Sequence, residues 1–394
     1  MRVLHTSDWH VGRTFHGRDL LADQEAVLTA MADLVTDERV DVVVVAGDLY
    51  DRAVPSGEAV EMCVRALSRI REAGAQLVVT PGNHDSAARV GAFGEFAEAG
   101  GLHLRTRVSG LHRPAVIDDE YGPVAFYGIP YLEPDPARHL LTHHADVPGA
   151  SDALEARGHA AVLGEAMQRV RADLAGRAAP TRSVVLAHAF VTGGEGSESE
   201  RRIAVGGVEQ VPGAVFDGVD YVALGHLHGP QRLDEHLRYS GSPLAYSFSE
   251  ATHRKSAWLL DLDAGGLTGV ERRELPVPRR LATVRGQLEE LLQDPEHTGL
   301  EDCYLSARLT DEVRPLEAMR RLQQRFPHAV HLEWQPATGR ATEPLRYSEQ
   351  TRGRDDQTLA DGFVENCRGS QPSGSEQGLL AEALRSVQAA EVSR

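Results

Sequence analysis

The chain has 394 residues, 41% of them hydrophobic and 25% charged, a composition typical of globular proteins. Its formal net charge of −17 argues against a broad basic face for nucleic acid, although bound divalent ions can make a single site positive. No apolar run approaches the ~20 residues needed to span a bilayer, so no membrane partner is expected. The beginning of the chain has no signal-peptide pattern. The three cysteines do not match any zinc spacing, and we therefore expect a reduced, cytoplasmic protein.

The N-terminal part of the chain alternates strand and helix patterns. Short apolar runs predict strands at 2–6, 42–45 and 76–80. Helical spacing of apolar residues predicts helices from about 21 to 36 and from Pro55 to Gly74. This βαβαβ alternation is typical of a layered α/β domain.

Strand patterns become denser after Gly100 and Gly101. A helix is predicted from about 151 to 176, and the segments 133–136 and 193–202 are expected to be exposed loops. The further strands are predicted at 124–129, 182–187, 219–224, 236–240, 256–262 and 269–275. Pro276 and Pro278 then end any regular element, so we expect a first domain over 1–278.

The pattern restarts beyond these prolines as a smaller α/β unit over 279–338. It comprises predicted strands at 281–284, 303–309 and 329–334 and helices at 287–293 and 315–325. A polar linker is expected over 339–357, followed by a helical tail over 358–394 with amphipathic helices at 359–364 and 379–392. Docking of the tail on its own domain and binding of a partner are equally consistent with this pattern.

Four turns that follow predicted strands contain metal-ligating residue types. In open α/β sheets, ligands gather at the carboxyl ends of the strands, so we expect these turns to converge, together with His188 after the strand at 182–187. Each turn alone is weak evidence, because Asp, Asn and Gly also favour turns for conformational reasons. The four turns are Asp8-Trp9-His10, Gly47-Asp48-Leu49-Tyr50-Asp51, Gly82-Asn83-His84-Asp85 and Gly225-His226-Leu227-His228.

This set of residue types suits hydrolysis of a phosphodiester by two divalent ions. Two ions ~3.5–4 Å apart activate water and neutralise the phosphoryl oxygens, and a carboxylate such as Asp48 can bridge them. Mixed His, Asp and Asn ligands favour manganese, iron or zinc over calcium, whose sites use oxygen alone. We expect His84 to protonate or hydrogen-bond the leaving oxygen, with Asp85 as its orienting partner.

Other polar residues near these turns have open assignments. Asp51 is expected to support the Asp48 turn from outside the ligand set. His16 and Arg18 are equally consistent with substrate contact and with a solvated loop.

The motifs resemble the calcineurin-like metallophosphoesterase superfamily, whose pattern D-x-H, GD-x-x-D, GNH[D/E], H and GH-x-H is present in order. More narrowly, the segments 5–12, 46–51, 82–86, 221–228 and 239–243 resemble the SbcD family of nuclease subunits. The resemblance implies a four-layer sandwich of two mixed β-sheets flanked by helices, with a small α/β capping domain and a helical tail.

The resemblance also implies a function and a ligand set. It implies a manganese-dependent double-strand DNA exonuclease and single-strand endonuclease for DNA repair, recombination and replication. Such a subunit works as a homodimer with SbcC, a coiled-coil ABC-type ATPase whose coiled-coil base the tail would grip. His84 would be the catalytic histidine. One ion would take Asp8, His10, Asp48 and His228, and the other Asp48, Asn83, His188 and His226.

Two alternatives remain at the level of sequence. The same centre could serve a phosphodiesterase or phosphatase of small nucleotides or phosphoproteins, for which the domain and tail beyond Pro278 are superfluous. A non-catalytic scaffold is the other alternative, and the complete set of predicted ligands counts against it.

Overall fold

A computed structural model of the chain describes residues 1–142, 158–200, 210–336, 354–368 and 371–392. The chain divides into two compact units, Met1–Arg279 and Arg280–Arg394. Among the described residues, no helix is both long and apolar enough to cross a membrane. Most of the predicted linker and the 151–157 part of a predicted helix lie outside the described residues.

The first unit is built from short strands and helices in alternation. Its helices are α1 (Leu21–Asp37), α2 (Gly57–Glu72), α3 (Ala87–Val90), α4 (Gly94–Ala99), α5 (Pro134–Thr142) and α6 (His159–Ala175). Its strands are β1 (Arg2–Thr6), β2 (Thr14–Phe15), β3 (Arg18–Asp19), β4 (Val42–Ala46), β5 (Gln76–Thr80), β6 (Leu102–Leu104), β7 (Ala115–Asp119), β8 (Gly122–Gly128), β9 (Arg182–His188), β10 (Tyr221–Gly225), β11 (Gln231–Arg232), β12 (Leu237–Tyr239), β13 (Ser256–Asp263) and β14 (Gly266–Glu274).

Two six-stranded mixed sheets form the centre of this unit. The first has the order β14-β13-β1-β4-β5-β6, and the second has the order β11-β12-β10-β9-β8-β7. The neighbours β1, β4 and β5 are parallel, as are β8, β9 and β10. The carboxyl ends of these parallel strands therefore share one edge in each sheet.

Side chains alternate between the two faces of each sheet, as the pleat requires. Val42 and Val44 of β4 share a buried core with Leu186 of β9, between the two sheets. Val185 and Ala187 of β9 point the other way, into a core shared with α6. A run of β-branched residues therefore forms a strand here because both of its faces are buried, each side chain contributing about 1.5–3 kcal/mol.

Helices cover the outer faces of both sheets. The buried faces of α1 and α2 include Val27, Met31 and Met62, and α2 contacts β5. On the other side, Val162 and Met167 of α6 belong to the core of the second sheet. The order of layers is helix, sheet, sheet, helix, which confirms the predicted four-layer sandwich.

The expected loop at 133–136 is wrong, because the segment begins helix α5. Prolines occupy the first and third positions of this helix. The first turn of a helix has no internal partners for its N–H groups, however, so proline is tolerated there. Pro134 and Ala137 are buried on the inner face of this helix.

The second unit contains a three-stranded parallel sheet, β15 (Leu281–Gly286), β16 (Tyr304–Leu309) and β17 (Ala329–Trp334), in that order. Helices α7 (Leu288–Gln293) and α8 (Ala318–Arg325) pack on it. Leu305, Leu322 and Phe326 belong to its separate core.

The tail forms helices α9 (Asp356–Arg368) and α10 (Gly374–Val392), both longer than predicted. The early start of α10 has a local cause. The Ser373 N–H donates to Glu376 Oε2 at 2.7 Å, and the Glu376 N–H donates to Ser373 Oγ at 3.4 Å. This reciprocal arrangement is a capping box, which stabilises the first turn of a helix.

Candidate metal centre

The turns after β1, β4 and β10 are joined by hydrogen bonds. The Asp8 N–H donates to the Gly47 carbonyl at 3.1 Å, and the His10 N–H donates to the Asp48 carbonyl at 2.9 Å. The His226 N–H donates to both carboxylate oxygens of Asp8 at 3.0 and 3.1 Å. The predicted site residues of these three turns therefore lie together at one edge of the two sheets.

The backbone at these turns is strained where the polar side chains leave it. Asp8, His10, Asp48 and His226 have positive φ angles of 53°, 45°, 48° and 105°. A left-handed conformation at a residue other than glycine costs about 1–3 kcal/mol and is concentrated at functional sites. Four of the eight non-glycine residues with positive φ in the described part of the chain are thus predicted ligands.

Glycines allow the strands to approach closely beneath the site. A Cβ atom on Gly47 would lie 2.1 Å from His188 Nδ1, and Gly47 itself has a φ of +88°. A Cβ atom on Gly225 would lie 1.8 Å from the Ala46 carbonyl oxygen. Side chains at these positions would push β4 away from β9 and β10.

Asp8, His10 and His228 form what we call the first half of the site. His10 Nε2 lies 3.1 Å from His228 Nε2 and 3.5 Å from Asp48 Oδ2. One ligand atom from each of Asp8, His10 and His228 lies within 4.8 Å of the others. All three side chains are buried, so the donor atoms face one another rather than solvent.

Asn83, His188 and His226 form the second half, and Asp48 lies between the halves. His188 Nε2 is 2.8 Å from Asn83 Oδ1 and 3.4 Å from Asp48 Oδ2. The rings of His188 and His226 are 5.3 Å apart. Asp8, Asp48 and His188 form another group with ligand atoms within 4.8 Å.

The hydrogen bonds of His188 direct one ring nitrogen toward the centre. Its Nδ1 lies 3.2 Å from the Ala46 carbonyl, which can only accept, so Nδ1 carries a proton. Nε2 then points at Asn83 and Asp48 with the electron pair that a metal ion requires. Imidazole, carboxylate and amide oxygen donors at these positions fit manganese, iron or zinc.

The pKa shifts of Asp48 and His188 indicate that these two groups favour each other's charged form. Burial alone would raise the pKa of Asp48, but the charge of His188, the hydrogen bond to it and the nearby His10 and His84 together outweigh burial and hold that pKa well below its usual range. Burial would lower the pKa of His188, but the Asp48 carboxylate, the charge of Asp8 and the hydrogen bond to the Ala46 carbonyl together outweigh burial and raise that pKa to about 9. Burial lowers the pKa of His226 to about 3, which keeps its ring neutral and able to ligate. A divalent ion can replace the proton on such a cluster.

The orienting role predicted for Asp85 is wrong. Its carboxylate accepts from the N–H groups of Leu49, Tyr50 and Gly82 at 2.9, 2.9 and 3.0 Å. Asp85 therefore fixes the Asp48 turn, and its side chain is committed to the main chain. His84 instead has its Nδ1 2.8 Å from the Asp51 carbonyl.

His84 lies beside both halves of the site. Its N–H donates to Asp48 Oδ1 at 2.9 Å, and its ring centroid lies 4.7 Å from that of His10. Its ligand atom also falls within 4.8 Å of those of His10 and Asp48. The geometry alone thus allows His84 to meet either an ion or a substrate.

Of the residues with open assignments, Asp51 lies near the first half. Asp51 Oδ1 is 3.7 Å from His10 Nδ1 and 3.3 Å from the Arg13 guanidinium. His16 and Arg18 lie on the hairpin of β2 and β3, and contact with substrate stays a prediction for both.

Sequence reasoning missed a group of residues behind His228. Ser199 Oγ lies 2.6 Å from His228 Nδ1, and the His228 N–H donates to Glu200 Oε1 at 2.8 Å. Glu250 and Lys255 lie directly behind them and are buried. The Glu and Ser residues at 197–200 were expected only in an exposed loop, and Glu250 and Lys255 belong to no motif.

Two family models match the chain. The calcineurin-like phosphoesterase model matches residues 1–230, and the model of the type 5 capsule protein repressor C-terminal domain, SbcD_C, matches residues 277–367. The first match covers more than half of the chain and contains all the predicted site residues.

Solved structures give weaker likenesses. A dimetal phosphatase from Danio rerio is 14% identical, covers 70% of this chain and 99% of its own, and gives a TM-score of 0.38. A family 1 β-glucosidase from Thermotoga maritima is 10% identical, covers 84% of this chain and 82% of its own, and gives a TM-score of 0.19. Such scores do not establish a shared fold, so the assignment follows from the sequence matches.

The phosphoesterase match and the clusters of Asp and His imply a metal-dependent phosphoester hydrolase with two divalent ions. The second match extends the likeness through the second unit. The chain belongs to the calcineurin-like phosphoesterase family, as a metallophosphoesterase of the SbcD type.

Proposed function

We propose that this chain is a DNA nuclease subunit, a double-strand exonuclease and single-strand endonuclease that works with an SbcC-type ATPase. Its place would be the cytoplasm, in the processing of DNA ends or hairpins during repair, recombination and replication. The observation that carries the proposal is the SbcD_C match at residues 277–367, which follows the phosphoesterase match at 1–230. A hydrolase of small phosphoesters has no evident use for that second unit.

The proposed metal centre has one ion in each half of the site and Asp48 as the shared ligand. Asp8, His10 and His228 would be the other ligands of one ion. The 3.1 Å distance between His10 Nε2 and His228 Nε2 supports this set. The other ion would take Asn83, His188 and His226, supported by the 2.8 Å approach of His188 Nε2 to Asn83 Oδ1. Manganese is the proposed metal because the resemblance to the SbcD family implies it, and the mixed donor set, which also fits iron or zinc, is compatible with it.

The chemistry divides between the ions and His84. When bound, two divalent ions supply an activated water and neutralise the charge on the phosphoryl oxygens. His84 donates Nδ1–H to the Asp51 carbonyl, so its Nε2 is the nitrogen available to the substrate. From there it would hand a proton, or a hydrogen bond, to the leaving oxygen.

The proposal is tested by assaying linear DNA, hairpin DNA and an aryl phosphodiester side by side. Each assay is run with and without manganese and with and without a coiled-coil ABC-type ATPase. We expect DNA cleavage that requires manganese and that the ATPase partner stimulates. Cleavage of the aryl ester alone under every condition would contradict the nuclease assignment and favour a small-substrate phosphodiesterase.

Partner binding is assigned to the tail helices. Phe363 of α9 and Leu379 of α10 expose 56% and 66% of their surface, so these helices retain apolar side chains that the described residues leave uncovered. A chain ending before Asp356 should keep its metal site and lose the ATPase complex. The paired change Phe363→Ser and Leu379→Ser should weaken that complex, whereas Leu316→Ser, at a residue 87% exposed outside the tail, should not. An intact complex in the truncated chain would refute the role of the tail.

The proposed homodimer is supported by a pair of exposed aromatic side chains. Phe93 and Phe96, at the start of α4, are each 80% exposed. Exposed aromatic groups of this size commonly mark interfaces. Sedimentation should show a dimer that the change Phe96→Glu dissociates, while Val116→Glu, at another exposed apolar residue, leaves it intact. A monomer at every concentration would contradict the dimer.

A further inference from the structure

Glu250 and Lys255 form a buried ion pair behind the first half of the site. Glu250 is 0% exposed and Lys255 2%, and Lys255 Nζ lies 2.5 Å from Glu250 Oε2. A buried ion pair is weak support for stability, because well-packed apolar residues often replace it without loss. The role of this pair is therefore sought in its contacts with the metal site.

Glu250 reaches the imidazole of His228 directly and through a hydroxyl. The Ser199 hydroxyl donates to Glu250 Oε1, and Ser199 Oγ lies 2.6 Å from His228 Nδ1. Glu250 Oε1 itself is 3.4 Å from His228 Nδ1. The Ser199 hydroxyl donates its hydrogen to Glu250, so its oxygen can only accept a hydrogen bond from His228, whose Nδ1 therefore carries the proton. His228 is thereby held in the tautomer whose Nε2 electron pair faces His10 and the centre.

Lys255 fixes the main chain of the same residue. Its Nζ donates to the His228 carbonyl at 2.9 Å and to Ser242 Oγ at 2.9 Å. The His228 N–H is held from the other side by Glu200 Oε1 at 2.8 Å. Ring and backbone of His228 are thus both fixed by charged side chains in the interior.

We infer that Glu250 and Lys255 are positioning residues for the first half of the metal centre, acting through His228. This inference rests on the proposed function, since it assigns their role relative to the ion that Asp8, His10 and His228 would hold. Removing a residue that holds a metal ligand in place without binding the ion itself typically lowers metal affinity by about 10–100-fold.

The second half of the centre does not use this pair. His188 is oriented by the Ala46 carbonyl at 3.2 Å, which belongs to β4 of the facing sheet and is independent of residue 250. Loss of Glu250 should therefore lower the affinity for the ion of the first half and leave the affinity for the ion of the second half unchanged. A general loss of folding would affect both ions together.

The test is titration of manganese into the full-length chain, followed by calorimetry and by electron paramagnetic resonance. We expect two ions in the unaltered chain and a spin-coupled pair at saturation. In Glu250→Gln, one ion should bind about 10–100-fold more weakly, and the coupled signal should give way to that of a single ion. Glu165→Gln is the matched control, because Glu165 pairs with Arg169 at 3.0 Å and both side chains are equally buried, away from the site.

A double variant separates positioning from the cost of burying an unpaired charge. In Glu250→Met with Lys255→Met no charge is left unpaired, so the melting temperature should recover relative to Glu250→Gln. The affinity for the first ion should stay low, because the Ser199 hydroxyl then lacks its Glu250 acceptor and the His228 carbonyl lacks its Lys255 donor. If Glu250→Gln fails to fold, the double variant still tests whether Glu250 and Lys255 position His228.

Three outcomes would overturn the inference. Two ions bound at unaltered affinity in Glu250→Gln, equal weakening of both ions, or recovery of metal affinity in the double variant would each contradict the positioning role. Failure of the unaltered chain to bind any manganese is a different result. It would overturn the proposed metal centre itself, and this inference with it.

Discussion

The two halves of the site are built from similar side chains but are supported in different ways. In the second half, His188 is directed by the main-chain carbonyl of Ala46, in strand β4 of the facing sheet. In the first half, His228 is directed by side chains, Ser199, Glu250 and Lys255. The packing of the two sheets against each other therefore orients His188 through a main-chain carbonyl, whereas the orientation of His228 depends on side chains from separate segments of the chain.

This difference has a consequence for how each half tolerates substitution. A carbonyl cannot be removed by mutation, so the second half is sensitive chiefly to the distance between strands. The side-chain support of the first half can be removed without disturbing the strands. The two halves should therefore be separable by experiment, and the following variants are ordered from the largest expected effect to the smallest.

Asp48→Asn should affect both halves, because Asp48 Oδ2 lies 3.5 Å from His10 Nε2 and 3.4 Å from His188 Nε2. We expect both ions to bind more than about 100-fold more weakly, a larger effect than that of losing a residue that only supports a ligand. Turnover should be lost as well. Calorimetry with manganese measures the binding. Asp119→Asn removes a carboxylate that pairs with Arg182 away from the site and should leave both ions bound. Loss of a single ion in Asp48→Asn would show that this residue belongs to one half alone.

His84→Ala should affect neither half and yet lower turnover by about 10²–10⁴-fold, the usual contribution of a general acid. Metal stoichiometry and DNA cleavage are measured on the same sample. His103→Ala, at a buried histidine that contacts Glu98, serves as the control and should retain both properties. A missing ion in His84→Ala would make His84 a ligand, an arrangement that its proximity to His10 and Asp48 also allows.

Gly47→Ala should weaken the second half, since the added Cβ would lie 2.1 Å from His188 Nδ1. We expect one ion to bind about 10-fold more weakly, at the lower end of the effect of an outer partner. Gly74→Ala provides a matched control, because Gly74 also has a positive φ, +106°, but its added Cβ would meet nothing within 4 Å. Equal metal binding in the two variants would show that the spacing of the strands does not set the position of His188.

Local sequence was enough to find the parts that depend on strands. The apolar runs at β1, β4 and β5 are buried on both faces, so their pattern and the polar turns after them are both visible in sequence. These turns include Asp8, Asp48 and Asn83. The geometry that brings them together follows from parallel pairing of neighbouring strands.

The parts that depend on long-range side-chain contacts were not visible. Glu250 and Lys255 lie 22 and 27 residues from His228 in the chain, in a segment without a recognisable pattern. Asp85 was misassigned because it is adjacent to His84 in sequence, whereas its carboxylate turns to the main chain of the Asp48 turn. Adjacency predicts a contact poorly when backbone N–H groups compete for the same carboxylate.

The most direct test of a two-ion centre is anomalous diffraction from crystals grown with manganese. We predict two peaks about 3.5–4 Å apart, the separation of ions that share a bridging ligand. One peak should lie among Asp8, His10, Asp48 and His228, and the other among Asp48, Asn83, His188 and His226. A single peak, or a second peak held by His84 in place of either set, would contradict the account.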